Sequence, residues 1–100
     1  MSQDASLNNM VGPIVRAGEI AEAVAEAMEI DNPDKEVIVD DKVAYLRISV
    51  EDECILRKET MEEILGHSFE MRELEINLSS FAGKIENTKD YVRFYFEKHI

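Results

Sequence analysis

The sequence predicts an α+β fold: a single compact domain in which two main helices pack on a mostly antiparallel sheet. The chain has 100 residues, of which 45% are hydrophobic, and this is enough for one buried core but not for two. One segment repeats apolar residues every three or four positions, as helices do, whereas several short segments alternate apolar and polar residues, as strands do. These patterns predict the order β-α-β-β-β-α-β-β over residues 10–100, after a mobile polar arm of residues 1–9.

The first strand and the first helix are predicted from two neighbouring segments. Residues 10–16 are apolar but contain Gly12 and Pro13, and because proline has no backbone N–H to donate, we expect an irregular or edge strand. Residues 19–29 place four apolar side chains on one helical face, namely Ile20, Val24, Ala27 and Met28. The turn-forming sequence Asp-Asn-Pro-Asp at residues 31–34 ends this helix.

Four further segments have strand patterns. Residues 37–39, 43–50 and 54–57 are β-branched or alternating, and short charged turns separate them, so we predict an antiparallel meander. Residues 91–96 alternate aromatic side chains and are expected to pair backwards through a turn at residues 86–90.

The second helical region is predicted from its end signals. Thr60 and Glu63 have the spacing of a capping box, in which each side chain bonds the backbone N–H of the other residue, so they predict a helix start. Gly66 follows three residues later and ends this helix. A further short helical turn is expected within residues 68–73.

The charge balance restricts the possible partners and compartments. The chain carries 22 Asp and Glu against 11 Lys and Arg, a formal net charge of −11. Because nucleic acids and anionic membrane surfaces are bound through Lys and Arg, we expect neither as a partner. The N-terminus lacks the basic and apolar regions of a secretory signal, and one cysteine fits a reducing compartment. We therefore expect a cytoplasmic protein that is monomeric when free.

No group of residues has the spacing of a catalytic, cofactor-binding or metal site. Cys54, His67 and His99 are too few and too far apart in sequence to predict a zinc site. The serines lack the glycines of a nucleophile elbow, and the four glycines are not clustered as in a phosphate-binding loop. We predict no catalytic, cofactor or metal residues, although a carboxylate pair acting as acid and base remains an alternative.

An acidic stripe follows one side of the first predicted helix. It consists of Glu19, Glu22, Glu26 and Glu29, which lie within an arc of about 80° opposite the apolar face. Like charges at this spacing repel by about 0.2–0.5 kcal/mol per pair, and no Lys or Arg lies within residues 19–29. Two interpretations remain open: a solvated face, or a surface at which Glu22 and Glu26 meet a basic partner.

Four blocks of the sequence resemble one protein family. They are residues 9–19 (NMVGPIVRAGE), 31–35 (DNPDK), 74–83 (LEINLSSFAG) and 92–96 (VRFYF). In this order they are similar to the effector, or coupling, proteins of bacterial multicomponent monooxygenases. The resemblance is greater to the effectors of toluene, toluene-o-xylene and phenol monooxygenases than to the methane monooxygenase regulatory protein.

The resemblance implies a function. Proteins of this family are small and acidic, contain no cofactor and bind a hydroxylase component whose α-subunit holds a di-iron centre. Their binding reshapes the hydroxylase active site and couples the use of electrons and O2 to substrate hydroxylation. This chain would then be the non-catalytic effector of an aromatic, toluene-type monooxygenase. The alternative is an acidic module that binds another protein and is unrelated to oxygenase chemistry.

The resemblance also implies where the hydroxylase binds. The Ser-Ser segment of the family corresponds to Ser79 and Ser80, and these residues with their neighbours are the first candidate for the docking surface. The acidic stripe is the second candidate, and the end of the N-terminal arm is the third, because a disordered arm can fold on a partner. The predicted partner-binding residues are Asn77, Ser79, Ser80, Phe81, Glu22, Glu26, Asn8 and Asn9.

Overall fold

A computed structural model of the chain describes residues 9–97, which contain three helices and seven strands. The helices are α1 (Glu19–Asp31), α2 (Lys58–Leu65) and α3 (Met71–Asn77). The strands are β1 (Met10–Arg16), β2 (Ile38–Asp41), β3 (Tyr45–Glu51), β4 (Glu53–Arg57), β5 (Leu78–Ala82), β6 (Lys84–Asn87) and β7 (Tyr91–Tyr95). The predicted α+β class and the rough element order are confirmed, with the second helical region divided into α2 and α3 and with three strands after it instead of two.

The strands form two antiparallel sheets. The four-stranded sheet has the order β2-β3-β1-β5, and the three-stranded sheet has the order β4-β7-β6. The predicted hairpin of residues 91–96 is confirmed, because β6 pairs with β7. The predicted meander is wrong in its third strand, since β4 pairs with β7 rather than with β3. The chain leaves the first sheet at Asp52, whose positive φ of 71° turns the backbone away from β3.

The position of β1 corrects a second prediction. This strand is irregular, as expected, but it lies in the interior of its sheet, between β3 and β5. Its pairing with β3 includes Val11 and Ile14 but neither Gly12 nor Pro13, so the proline stands where the ladder to β3 is interrupted. Gly12 has φ +143°, and a Cβ there would lie 2.1 Å from the carbonyl oxygen of Ile48. The close approach of two backbones thus requires the glycine.

The core lies between the two sheets and the three helices. Helix α1 buries Val24, Ala27 and Met28, as predicted, whereas Ile20 is only half-buried. These side chains pack in one cluster with residues of both sheets, which include Val11, Val15, Ile48, Val50, Leu56, Val92 and Phe94. Because α1 shares a core with both sheets, its solvent-facing side is the acidic stripe, and the stripe lies far from the outer side of the four-stranded sheet.

The start of α2 differs from the predicted capping box. The helix begins at Lys58, and the buried Thr60 donates its hydroxyl to Asp31 Oδ1 at 2.6 Å instead of capping its own helix. The other carboxylate oxygen of Asp31 accepts the backbone N–H of Arg57 at 2.9 Å. The last residue of α1 therefore holds the start of α2 in place through two hydrogen bonds, which local sequence spacing cannot indicate. Gly66 does end α2, with φ +78°.

Candidate partner-binding surface

The predicted Ser-Ser segment lies on the edge strand of the four-stranded sheet. Among the described residues, strand β5 pairs with β1 alone, and both Ser79 and Ser80 are exposed. Asn77 is the last residue of α3, half-buried, and its side-chain Nδ2 donates to the backbone carbonyl of Glu73 at 2.9 Å. The segment thus combines an unpaired strand edge with small polar side chains, an arrangement that can accept backbone and side-chain contacts from a partner.

Phe81 points to the opposite side of the sheet from Ser80. Its ring lies 5.9 Å from that of the buried Phe94, tilted by 48°, so Phe81 connects the edge of one sheet with the centre of the other. It still exposes 38% of its surface. Because side chains alternate along a strand, Ser80 then lies on the outer side, beside its register partner Ile14.

In the described part of the chain, residues 9–97, no helix covers the outer side of the four-stranded sheet, and we call this side the open sheet face. Its side chains come from all four strands and include Ile14 and Arg16 of β1, Ile38 and Asp40 of β2, Tyr45, Arg47, Ser49 and Glu51 of β3, and Ser80 of β5. Tyr45 and Ile38 expose 37% and 45% of their surfaces. In a chain with net charge −11, this face carries two arginines that have no ion-pair partner within residues 9–97.

The acidic stripe lies on the other side of the molecule. Its four glutamates are exposed, and no basic residue occupies the last turn of α1. Three of them line a shallow groove of about 170 Å³ together with Ala23, Ile64 and Leu65. The structure therefore separates Glu22 and Glu26 from Ser80. A partner that contacts both sets must extend around the molecule.

The third predicted candidate is described only in part. Asn9 is half-buried just before β1, and its carbonyl accepts the backbone N–H of Asp52 at 2.9 Å. Asn8 and the rest of the predicted arm lie outside the described residues. All eight partner-binding residues remain predictions.

A pocket of about 500 Å³ was not indicated by the sequence. It lies where α2 begins and is lined by Ile55, Arg57, Lys58, Glu59, Glu62, Asp90 and Tyr91. Its lining carries both signs of charge, so it selects no single class of ligand. Within residues 9–97, no group of three or more His, Cys, Asp or Glu side chains is placed to hold a metal ion.

The one cysteine is part of the core. Cys54 is 1% exposed, and burial raises the pKa of its thiol to about 12. A thiol that stays protonated is a poor nucleophile, so its position indicates packing rather than covalent chemistry. No helix of residues 9–97 is long and apolar enough to cross a membrane.

Residues 9–95 match the family model described as the MmoB/DmpM family. The chain belongs to this family. The match covers nearly all of the described residues, from the turn before β1 to the end of β7. The predicted relationship to effector proteins of multicomponent monooxygenases is thereby confirmed.

Two curated relatives are an effector subunit and a stimulatory component of monooxygenases. The chain is 39% identical over 89 residues to an alkene monooxygenase effector subunit of Xanthobacter autotrophicus (strain Py2), covering 89% of this chain and 88% of that protein. It is 32% identical over 77 residues to the phenol 2-monooxygenase stimulatory component DmpM of Pseudomonas sp. (strain CF600), covering 77% and 81%.

Solved structures have the same fold. A chain in each of two structures of a phenol hydroxylase–regulatory protein complex matches, with TM-scores of 0.77 and 0.72 at 28% and 30% identity. These matches cover 88% and 87% of this chain and 99% of each of those chains. The soluble methane monooxygenase regulatory protein B matches at 17% identity with a TM-score of 0.66, over 89% of this chain and 66% of that one. This last likeness concerns the fold alone.

Proposed function

We propose that this chain is the effector component of a bacterial multicomponent monooxygenase. It binds the di-iron hydroxylase component, mainly its α-subunit, and couples the use of electrons and O2 to substrate hydroxylation. The observation that carries the proposal is the family match over residues 9–95, together with relatives that are an effector subunit and a stimulatory component.

The finer parts of the proposal concern the chain itself and its substrate class. Residues 10–100 form the effector domain and residues 1–9 an arm that folds on the hydroxylase. The chain is cytoplasmic, monomeric when free, non-catalytic and without a cofactor, and the hydroxylase that it serves acts on an aromatic, toluene-type substrate. The lone, buried Cys54 supports a role that needs no reactive side chain of its own.

Binding acts on the hydroxylase through a difference in affinity. An effector shifts its partner towards one conformation only by binding that conformation more tightly. Moving a population from 1:99 to an even mixture takes about 2.7 kcal/mol of differential binding free energy. Contacts by Asn77, Ser79, Ser80 and Phe81 at the sheet edge are of the kind and number that can supply this. Glu22 and Glu26 form a second contact, and Asn8 and Asn9 form a third.

The test is a steady-state assay of the cognate hydroxylase with its electron-transfer components. Product formation and reductant consumption are measured with and without this chain, at increasing concentrations. We expect the chain to raise the rate of hydroxylation and the ratio of product formed to reductant consumed. If both quantities are the same without it, the proposal fails. Hydroxylation by the isolated chain would show instead that it is an enzyme.

A further inference from the structure

The turn between β2 and β3 contains a valine in a conformation that side chains rarely adopt. The carbonyl of Lys42 accepts the backbone N–H of Ala44 at 2.8 Å, which makes a three-residue γ-turn centred on Val43. Val43 has φ 72°, and its own N–H is held by Asp41 Oδ1 at 2.8 Å. Positive φ is unfavourable for a β-branched residue, and glycine adopts it without strain.

The strained valine has no packing role within the described chain. Its side chain is 88% exposed, the largest value among the exposed large hydrophobic residues. Of the seven such residues within 9–97, four lie on this one hairpin: Ile38, Val39, Val43 and Tyr45. Ile38 and Tyr45 lie on the open sheet face, whereas Val39 lies on the other side with its register partner Ile48. A concentration of exposed apolar side chains on one hairpin is typical of an interaction site, whereas isolated ones are not.

Two basic side chains lie beside Tyr45 on the open sheet face. Arg16 is the register partner of Tyr45, and Arg47 lies two residues further along β3 on the same face. Asp40 is the register partner of Arg47, but its carboxylate pairs with Lys42 at 3.1 Å. Apolar contact area next to two guanidinium groups that have no ion-pair partner within residues 9–97 fits a protein surface that has an apolar pocket bordered by carboxylates.

We propose that Val43, Tyr45, Arg16 and Arg47, which we call the hairpin surface, form an anchoring contact for the hydroxylase. Val43 enters an apolar pocket of the hydroxylase, and hydroxylase carboxylates pair with the two arginines. This inference rests on the proposed function. It adds a contact that continues the open sheet face from Ser80 to the opposite end of the sheet.

Charge favours the hydroxylase over a second copy of the chain as the occupant. Each copy carries a net charge of −11, so association of two copies is opposed by their overall repulsion. A symmetric contact between two hairpin surfaces would also bring the arginines of one copy close to those of the other.

Val43→Gly is the decisive variant. Glycine removes the side chain and accepts φ 72° without strain, so we expect an unchanged or higher urea midpoint for the free protein. In hydroxylase titrations we expect the half-activating concentration to rise about tenfold, which corresponds to about 1.4 kcal/mol of binding free energy. Weaker activation by a variant that is as stable as the wild type shows that a contact with the hydroxylase is lost and that the fold is not impaired.

Two control variants, Asp52→Gly and Lys89→Glu, match the test variants Val43→Gly and Arg47→Glu. Asp52→Gly replaces the other non-glycine residue with positive φ, at 71°, in an exposed turn at the opposite end of β3, and should activate as the wild type does. Arg47→Glu tests the charge against Lys89→Glu, which makes the same change in net charge in the exposed turn between β6 and β7. Only Arg47→Glu should raise the half-activating concentration, and more so at low salt.

Three results would overturn the proposal. If the Val43→Gly variant has the same half-activating concentration as the wild type, the hydroxylase does not contact Val43. If light scattering shows that the wild type is a dimer and that the Val43→Gly variant is a monomer, a second copy of the chain occupies the hairpin surface. A wild-type chain that leaves hydroxylation unchanged refutes the proposed function and this inference with it, whereas the first result leaves the proposed function standing.

Discussion

At the scale of single residues, one buried amide completes the edge of the three-stranded sheet. Asn32 is 7% exposed and donates from Nδ2 to the carbonyls of Met28 at 2.8 Å and of Ile55 at 2.9 Å. Its Oδ1 accepts the N–H of Ile55 at 3.0 Å. One side chain thus pairs with Ile55 as a neighbouring strand would, and it joins the end of α1 to β4.

Replacing this amide should destabilise the fold. Asn32→Ala leaves both backbone groups of Ile55 without their partner in a part-buried place, and we expect a loss of about 1–3 kcal/mol in the free energy of unfolding. Urea denaturation measures it. Asp34→Ala is the matched control, because Asp34 is exposed in the same turn, and its effect should stay within about 0.5 kcal/mol. Equal effects of the two variants would contradict the role of Asn32.

The buried thiol of Cys54 should be unreactive in the folded protein. Burial raises its pKa to about 12, so the thiol stays protonated throughout the range of pH 7–9 in which an exposed cysteine becomes a thiolate. We expect labelling by a thiol-specific disulfide reagent to be slow at pH 8 and fast in denaturant, which is the internal control. Equal rates in the two conditions would show that β4 opens readily.

At the scale of elements, β1 depends on a close approach that only glycine permits. Gly12 and Gly18 have similar positive φ values, +143° and +147°, but a Cβ at Gly18 meets nothing within 4 Å. An alanine at Gly18 would therefore suffer backbone strain alone, whereas an alanine at Gly12 would suffer the same strain and also a steric overlap. In β1 the overlap is with the carbonyl of Ile48, an atom that cannot move unless β3 moves with it.

The two alanine variants should differ accordingly. Gly18→Ala should cost about 1–3 kcal/mol from the unfavourable φ alone. Gly12→Ala should cost at least about 2 kcal/mol more, because β1 and β3 must separate. Thermal and urea unfolding of both variants measure the difference, and equal losses would show that the strands adjust without cost.

Helix α1 carries a repulsion that one substitution can relieve. Glu26 lies four residues after Glu22 and three before Glu29, and the last turn has no basic residue. Glu26→Lys replaces two repulsions with two attractions, so we expect a gain of about 0.5–1 kcal/mol in the free energy of unfolding. Glu36→Lys, in the exposed segment after α1, makes the same change in net charge and should gain less.

The same variant tests the predicted role of the acidic stripe. If the stripe contacts a basic region of the hydroxylase, as proposed, Glu26→Lys weakens activation and flattens its dependence on salt. Activation equal to that of Glu36→Lys at low salt would show that the stripe is a solvated face.

At the scale of the whole molecule, local sequence patterns predicted which segments form helices and strands better than they predicted which strands pair with each other. The apolar periodicity of α1 and the alternation of β7 depend on neighbours in sequence, and both are confirmed. The interior position of β1 and the pairing of β4 with β7 depend on contacts between distant segments. Pro13 indicated an edge strand. The neighbouring residues do not show that the pairing of β1 with β3 is interrupted at Pro13, and this interruption is what allows the proline in an interior strand.

The candidate surface was predictable to the same extent. The Ser-Ser segment stood out by resemblance, and Ser79 and Ser80 are indeed exposed on an edge strand. Val43, in contrast, belonged to a predicted strand of residues 43–50, whereas β3 begins at Tyr45. Its positive φ and its exposure are properties of the folded backbone, and no residue pattern in the sequence indicates them.

The two hydrogen bonds by which Asp31 holds the start of α2 have a consequence for the order of folding. Asp31 is 26 residues before Arg57 and 29 before Thr60, and an isolated helix of eight residues is unstable in water. The two bonds from Asp31 therefore form only when the end of α1 meets the end of β4. We expect them to form after the folding transition state, so removing the carboxylate of Asp31 should speed unfolding while the folding rate hardly changes.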